Sequence, residues 1–225
     1  MTDFYDNDVI ADTYTKEIVK LVKTQTHADY VAATNWMVRT SRDLSDTVEQ
    51  EGDYTHNGGI QPVAGDVHVD INQNSSEMIA KRLYNEKFPD APPYKRFVVL
   101  SLWRPFSPAP QDWPLAVCDA SSVDDDEGTS NTLIVTDKAP TQEEMLGSIE
   151  NEDNIIAASI FLHNSKHRWW YFSKMSKDEL IAFKFFDSDK TRAWRVPHVA
   201  FNDPSFAEQA QKRDSIEYRT IAYFT

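Results

Sequence analysis

The sequence contains little cysteine, no long apolar run and no glycine-rich loop. Cys118 is the only cysteine among 225 residues, so an internal disulfide bond is excluded and a reducing compartment is expected. The longest apolar run, residues 155–162, is far too short to cross a bilayer. The first eight residues carry acid where a signal peptide needs base followed by an apolar stretch. We therefore expect a soluble, cytoplasmic protein.

Basic residues are also scarce. There are 23 Lys and Arg against 36 Asp and Glu, which gives a formal net charge of -13. Binding to nucleic acid requires clustered Lys and Arg, and binding to an anionic membrane is disfavoured for the same reason. The expected partner is therefore a small molecule. The sequence leaves the oligomeric state open.

Two long segments have the periodicity of helices. Apolar residues recur at helical spacing over residues 8–24. A second helix is predicted over residues 76–88, with Ser75 or Ser76 as its N-cap. The side chains predicted to face inward from this second helix are Met78, Leu83 and Tyr84.

Two further features lie in the second half of the chain. Ser176 and Glu179 form a capping-box pattern that predicts a short helix over residues 177–183. Residues 104–130, rich in proline and ending in an acidic run at 124–127, are predicted to be a loop, as is the acidic segment 137–154.

The other periodic segments alternate like β-strands, most clearly residues 215–224. About eight short strands with flanking helices predict one mainly β domain over residues 1–225, built as a double-sheet barrel or jelly roll. A doubly wound α/β sheet would need helices between successive strands, which are missing. The remaining predicted strands are 30–38, 66–71, 95–103, 131–136, 155–162, 168–172 and 193–201.

A His-x-Asp motif on a strand directs both side chains to the same side, so both can reach one metal ion. With six histidines and 36 acidic residues in 225, about one His-x-acid motif is expected by chance, and the chain has two. His27 and Asp29 lie at the end of the first helix, which favours a surface or capping role. His68 and Asp70 lie in a strand-like segment and are the better candidate ligands.

The third candidate ligand is His198, within the strand-like segment 195–201. Fifteen residues later, Arg213 and Ser215 form an Arg-x-Ser motif. The fixed fork of a guanidinium with a nearby hydroxyl suits the distal carboxylate of 2-oxoglutarate. Residues 39–41 repeat the Arg-x-Ser pattern, so the motif alone is weak, and its position after a candidate ligand favours the second copy.

The remaining histidines give weaker patterns. His163 and His167 are four residues apart, which is the spacing of a helical zinc pair. The strand-like aromatic run at 168–172 follows at once and argues against a helix there. His56 stands beside Asn57, Gly58 and Gly59 and is predicted to be an exposed turn residue.

Six sequence segments, given in chain order at the end of this paragraph, closely resemble segments of the fungal gibberellin desaturase and aspergillic-acid-type hydroxylase/desaturase family. That family is related to the smaller component of the bacterial cephem 7-methoxylase system. The resemblance covers about residues 5–224, and Trp170 stands where we expect a tyrosine. The segments are LWRP (102–105), DWPLAVCD (112–119), HRWWYF (167–172), FDS (186–188), PHVAF (197–201) and RDSIEYR (213–219).

The resemblance implies a double-stranded β-helix (jelly roll, cupin-like) and an iron(II)/2-oxoglutarate enzyme of fungal natural-product pathways. It places His68, Asp70 and His198 at the iron, and Arg213 and Ser215 at 2-oxoglutarate. It leaves open whether Trp103, Arg104, His167 and Arg168 line the pocket or pack the core. Arg219 is the competitor of Arg213 for binding the distal carboxylate of 2-oxoglutarate, and it also counts as a possible pocket residue.

The implied activity is oxidation of a C–H bond, by hydroxylation, desaturation or oxidative cyclisation. Its substrate would be a small natural-product or amino-acid-like metabolite. The alternative is a non-catalytic β-barrel that binds a small molecule, or an accessory subunit of a biosynthetic enzyme. An intact metal triad with Arg-x-Ser argues against that alternative.

Overall fold

The computed structural model describes residues 4–43, 60–134, 155–206 and 208–225. His56 and the acidic segment 137–154 lie outside the described residues. The described part of the chain contains no helix that is long and apolar enough to cross a membrane.

The predicted first helix is confirmed. Helix α1 (Asn7–Val9) leads through a π-helical turn (Ile10–Tyr14) into helix α2 (Thr15–Thr26). The Asp6 carboxylate accepts hydrogen bonds from the backbone N–H groups of Asp8 and Val9 and so caps the start. The helical segment ends at His27, whose φ of 57° is left-handed. Its buried side chains are Ile10, Tyr14, Ile18 and Val22.

Helix α3 (Gln73–Lys87) begins three residues before the predicted start. Its N-cap is Asn72, whose side-chain oxygen accepts a hydrogen bond from the N–H of Ser75, so the prediction of a serine cap was wrong. The prediction that Met78 faces inward was also wrong, because this side chain is 64% exposed. The buried positions recur every four residues along one face, at Ser76, Ala80 and Tyr84.

Five strands form the first sheet, and they are β1 (Tyr30–Thr40), β2 (Ile60–Pro62), β4 (Arg96–Pro105), β9 (Ile181–Asp187) and β11 (Asp214–Phe224). Their order is β2-β1-β11-β4-β9. Neighbours are antiparallel except β1 and β2, which are parallel.

Six strands form the second, antiparallel sheet, and they are β3 (His68–Val69), β5 (Leu115–Cys118), β6 (Thr129–Ile134), β7 (Ile155–Ile160), β8 (Trp169–Tyr171) and β10 (His198–Ala200). Their order is β6-β7-β3-β10-β5-β8. The predicted mainly β, two-sheet fold with flanking helices is therefore confirmed. Over the described ranges the two sheets stay separate and do not close into one barrel.

Two further local predictions were wrong, and one strand was missed. The Ser176–Glu179 pair forms the expected hydrogen bonds, but they close a turn, and strand β9 follows from Ile181. The segment 104–130 is not one loop, because it contains β5 and the start of β6. Strand β2 also went unpredicted. Strands β2 and β5 contain three and four residues, so each offers few positions in which alternation can be recognised.

Alternation along β11 divides the interior into two cores. Ile216, Tyr218 and Ala222 pack with the N-terminal helices on one face of the five-stranded sheet. Ile221 and Tyr223 pack on the other face, in the core shared with β3, β5 and α3. Arg213, Ser215, Glu217 and Arg219 have the parity of Ile221 and Tyr223, so the strand turns them toward that shared core.

Candidate functional site

His68 and His198 meet because their strands are neighbours. β3 and β10 lie side by side in the six-stranded sheet, and the two histidines are register partners. Their ring centroids are 4.4 Å apart. His198 is 3% exposed, and its ring stacks on Phe185, with the two centroids 5.5 Å apart. The structure thus brings together two histidines that are far apart in the sequence.

Asp70 completes the cluster two residues after His68. Its Oδ1 atom is 3.0 Å from Nε2 of His68. One ligand atom from each of His68, Asp70 and His198 lies within 4.8 Å of the others. Two ligands at bond lengths of about 2.1 Å and at right angles are about 3.0 Å apart. The distance between His68 and Asp70 matches this spacing, and the cluster as a whole has the donor set of a two-histidine, one-carboxylate facial triad.

Hydrogen bonds direct the two Nε2 atoms toward that centre. Nδ1 of His68 lies 2.6 Å from the carbonyl oxygen of Asp66, and Nδ1 of His198 lies 3.3 Å from that of Val196. A carbonyl accepts only, so each Nδ1 carries a proton, and in the neutral ring each Nε2 presents a lone pair. Although burial opposes the charged form, the hydrogen bond to Asp70 raises the pKa of His68, so a metal ion bound here would displace the proton on its Nε2. Burial, together with nearby His68, lowers the pKa of His198 to about 3 and keeps the ring neutral. Its Nε2 is buried without a hydrogen-bond partner, which fits a nitrogen that binds a metal ion.

Arg219 fixes the other oxygen of Asp70. Nη2 of Arg219 lies 2.5 Å from Oδ2 of Asp70, while its Nε donates to Oε1 of Glu217 at 3.0 Å. Although burial opposes the charged form, the Arg219 guanidinium and His68 hold the pKa of Asp70 well below its usual range. Asp70 is therefore an anion whose Oδ1 remains directed at His68.

A small cavity of about 10 Å³ lies against the two histidines, and its lining includes His68, His198, Trp103, Arg213, Arg39 and Glu217. Arg213 is 1% exposed, and its guanidinium lies over the ring of Trp103, 5.6 Å from the centroid. Nη1 donates to the carbonyl oxygen of Trp113 at 2.9 Å, and Nε has no partner. Burial, with a contribution from nearby Arg39, lowers the pKa of Arg213 to about 9.

Ser215 lies two residues after Arg213, in β11, opposite Arg39 of β1. Its hydroxyl donates to the carbonyl oxygen of Arg39 at 3.4 Å. Arg213, Ser215 and the two histidines therefore belong to one region, although 15 residues separate Arg213 from His198.

The structure places other candidates elsewhere. Arg104 extends from the opposite face of β4, with its guanidinium 5.1 Å from the ring centroid of Phe4. Arg168 forms an exposed ion pair with Asp119 at 2.9 Å. Neither arginine reaches the histidine cluster.

His167 is buried and pairs with Glu127 at 2.6 Å. It lines a groove of about 520 Å³ together with Ala116 and Val199. The neighbouring residues Leu115 and His198 line the small cavity, so the groove lies on the other face of β5 and β10. Among the described histidines, His27 caps a helix, and the segment holding His163 and His167 is not helical.

Sequence reasoning did not single out Glu217 or the aromatic neighbours of His198. Glu217 shares its parity with Arg213 and Arg219 on β11, so the alternation alone would have placed it on the same face. Phe183 and Phe185 come from β9, part of which was predicted to be helical, and no sequence signal connects them to His198. The ring of Phe183 lies 4.8 Å from that of His198.

A second cavity, of about 190 Å³, adjoins the cluster. Phe185, whose ring stacks on His198, forms part of its wall, as do Val69 and Ile71. Its lining also includes several polar side chains, among them Asn72 and Arg195. The cavity therefore combines an apolar wall with a polar one, which suits a small molecule that carries both kinds of group.

Comparison with known proteins gives consistent matches over nearly the whole chain. A family model described as an oxidoreductase/YMDC permease-like domain matches residues 1–223. The hydroxylase/desaturase CTB9 of Cercospora beticola is 30% identical over 233 residues, covering 100% of this chain and 67% of that protein. The alpha-ketoglutarate-dependent dioxygenase phiK of a fungal species (strain ATCC 74256) is 29% identical, covering 100% and 74%.

A solved structure has the same fold. The iron and alpha-ketoglutarate-dependent endoperoxidase NvfI superposes with a TM-score of 0.72 at 22% identity. The match covers 97% of this chain and 71% of that one. At this identity the likeness shows the fold, and the chemistry has to be argued from the residues themselves.

Proposed function

The chain belongs to the oxidoreductase family of the hydroxylase/desaturases, and from this premise we propose that it is an iron(II)- and 2-oxoglutarate-dependent oxygenase. The observation that carries the proposal is the cluster of His68, Asp70 and His198 with its unpartnered, buried Nε2. Two imidazoles and one carboxylate on one face are the donor set of non-haem iron(II) oxygenases. The substrate is a small metabolite of natural-product type.

Each protein group has a role that follows from its contacts. Nε2 of His68, Nε2 of His198 and Oδ1 of Asp70 are the iron ligands, held by carbonyl oxygens and by Arg219. Phe183 and Phe185 cover the His198 ring and limit access of water to it. His68, His198 and Asp70 would hold iron(II), which with oxygen and 2-oxoglutarate would supply the oxidising power to break a C–H bond, 2-oxoglutarate being oxidised to succinate and carbon dioxide.

Arg213 is the proposed anchor for the distal carboxylate of 2-oxoglutarate. A buried guanidinium is costly unless it is paired, and Arg213 has no ion-pair partner among the described carboxylates. It shares the small cavity with both histidine ligands, so an anion bound to it extends toward the iron position. The Ser215 hydroxyl is the neighbouring polar group on the same face.

The accessory-subunit alternative requires no metal chemistry in this chain. A site used only for packing would not need the Nε2 atoms of His68 and His198 directed at one point. It would also not need the buried guanidinium of Arg213 without a carboxylate partner. The test is to supply anaerobically purified protein with iron(II), 2-oxoglutarate, oxygen and candidate metabolites and to measure succinate. We expect succinate that requires both iron and protein and increases with the correct metabolite. Iron-loaded protein that binds 2-oxoglutarate yet never forms succinate would favour the accessory role.

The two His-x-Asp motifs provide a matched pair of variants. Asp70→Asn is expected to weaken iron binding by about tenfold or more, since an amide lacks the charge of the carboxylate and disturbs the pair with Arg219. Asp70→Glu is expected to retain iron but to uncouple succinate formation from substrate oxidation. Asp29 accepts hydrogen bonds from the backbone N–H and hydroxyl of Thr225, far from the cluster. Asp29→Asn should therefore leave iron binding unchanged, and equal effects at the two positions would contradict the assignment.

A further inference from the structure

The two Arg-x-Ser segments of this chain lie against each other. Arg39 of β1 is the register partner of Ser215 of β11. At the other end of the pair, the N–H of Ser41 donates to the carbonyl oxygen of Arg213 at 2.9 Å, and the N–H of Arg213 donates to the Ser41 hydroxyl at 2.8 Å. The segment that duplicates the anchor motif in the sequence is thus its antiparallel neighbour in the fold.

Both arginines line the same small cavity as His68 and His198. The side chain of Arg39 crosses to the edge strand β2, where Nη1 donates to the carbonyl oxygen of Pro62 at 2.8 Å. Within the described ranges, Arg39 and Arg213 both lack an ion pair with a carboxylate. Arg219 differs, because it contacts both Asp70 and Glu217.

The charges around the cavity do not balance. Glu217 lines the cavity, but its carboxylate and that of Asp70 are both paired with Arg219. Arg39 and Arg213 therefore have no direct carboxylate partner among the described lining residues, and the three guanidinium groups exceed the two carboxylates by one positive charge. Cations in such a position are stabilised by an anionic ligand, and one carboxylate has acceptor sites enough for two guanidinium groups.

We propose that Arg39 is the second cationic residue of the co-substrate site and binds the distal carboxylate of 2-oxoglutarate together with Arg213. This inference rests on the proposed function. A cavity of about 10 Å³ has room for about one water molecule, so the co-substrate enters only as side chains move. Arg39 is the less buried of the two arginines, and its guanidinium reaches the neighbouring strand β2. Its long side chain is therefore the one proposed to move aside and then to close over the bound carboxylate.

The test compares two ligands that differ only at the far end. 2-Oxoglutarate and 2-oxopentanoate have the same chain length, but 2-oxopentanoate lacks the distal carboxylate. Both are titrated anaerobically into the iron(II)-loaded protein, and the dissociation constants are measured by calorimetry. Arg39→Gln is expected to raise the Kd for 2-oxoglutarate by about tenfold and to leave that for 2-oxopentanoate within about twofold. Arg39→Lys, which keeps the charge but loses the fork, should lie between wild type and Arg39→Gln.

Arg82→Gln is the matched control, because Arg82 is an exposed residue of α3 whose loss changes the net charge equally. It should change neither constant. An unchanged 2-oxoglutarate Kd in Arg39→Gln would overturn the inference, as would equal weakening of both ligands, which is the signature of a structural role. If Arg39→Gln does not fold, the same comparison is made with Arg39→Lys. Failure of the proposed function looks different, because wild-type protein would then bind neither keto acid.

Discussion

Replacing His198 by alanine is expected to abolish stoichiometric iron binding and all 2-oxoglutarate turnover. The reason is geometric, since a three-ligand site that loses one ligand retains neither the facial arrangement nor the buried Nε2 lone pair. His68→Ala should have the same effect, because its Nε2 faces Asp70 at 3.0 Å. The measurement is iron bound per protein after anaerobic equilibrium dialysis, together with succinate formed.

The fold should survive both changes. His198 packs against Phe183 and Phe185, so truncation leaves a cavity and lowers the free energy of unfolding by about 2–3 kcal/mol. His68 is more accessible, so its truncation should lower the free energy of unfolding by less. Circular dichroism and thermal unfolding check this point. His163→Ala is the control, because this exposed histidine lies outside the cluster. Full turnover by either ligand variant would mean that the wrong histidine was chosen, with His27 or His167 next to be tested.

Replacing Arg213 by lysine is expected to raise the apparent KM for 2-oxoglutarate by about tenfold or more. This corresponds to a loss of about 1.4 kcal/mol or more of binding free energy. Lysine keeps the charge but loses the planar fork, and its shorter polar reach also loses the hydrogen bond to the carbonyl oxygen of Trp113. Affinity for the metabolite substrate should change much less. The measurement is the dependence of succinate formation on 2-oxoglutarate concentration at saturating iron.

Arg219→Lys is the informative comparison. Arg219 has the same parity on β11 but contacts Asp70 and Glu217, so its replacement should weaken iron binding before it alters the 2-oxoglutarate dependence. If Arg213→Lys leaves that dependence untouched while Arg219→Lys raises the constant, the anchor has been assigned to the wrong arginine. If neither variant matters, 2-oxoglutarate itself is in doubt and the accessory-subunit reading gains support.

The fold class and the clustering of His68, Asp70 and His198 were accessible from the sequence for different reasons. Alternation along residues 215–224 is long enough to define a strand and its two faces, and it holds in the structure. The short strands behaved differently, since β3 and β10 contain two and three residues. Periodicity in so few positions is indistinguishable from chance, and the family resemblance supplied what periodicity lacked.

The contacts between distant segments could not be predicted from local patterns. The pairing of Arg219 with Asp70 joins residues separated by 149 positions, and the pairing of Arg39 with Ser215 requires the antiparallel register of β1 and β11. The second Arg-x-Ser motif therefore weakened the sequence argument, whereas in the fold it lies beside the first. Met78 illustrates the opposite case, because the buried face of α3 runs through Ala80 and Tyr84 and leaves this apolar side chain exposed.

The central claim is that this chain holds iron(II) through His68, Asp70 and His198 and binds 2-oxoglutarate to the same ion. Its most direct test is an anaerobic titration of the protein with iron(II) and then 2-oxoglutarate, followed by visible absorption. Chelation of iron by the keto acid should produce a weak charge-transfer band in the wild type that is absent from His198→Ala and unchanged in His163→Ala. Wild-type protein that binds both iron and 2-oxoglutarate but develops no such band would contradict the claim.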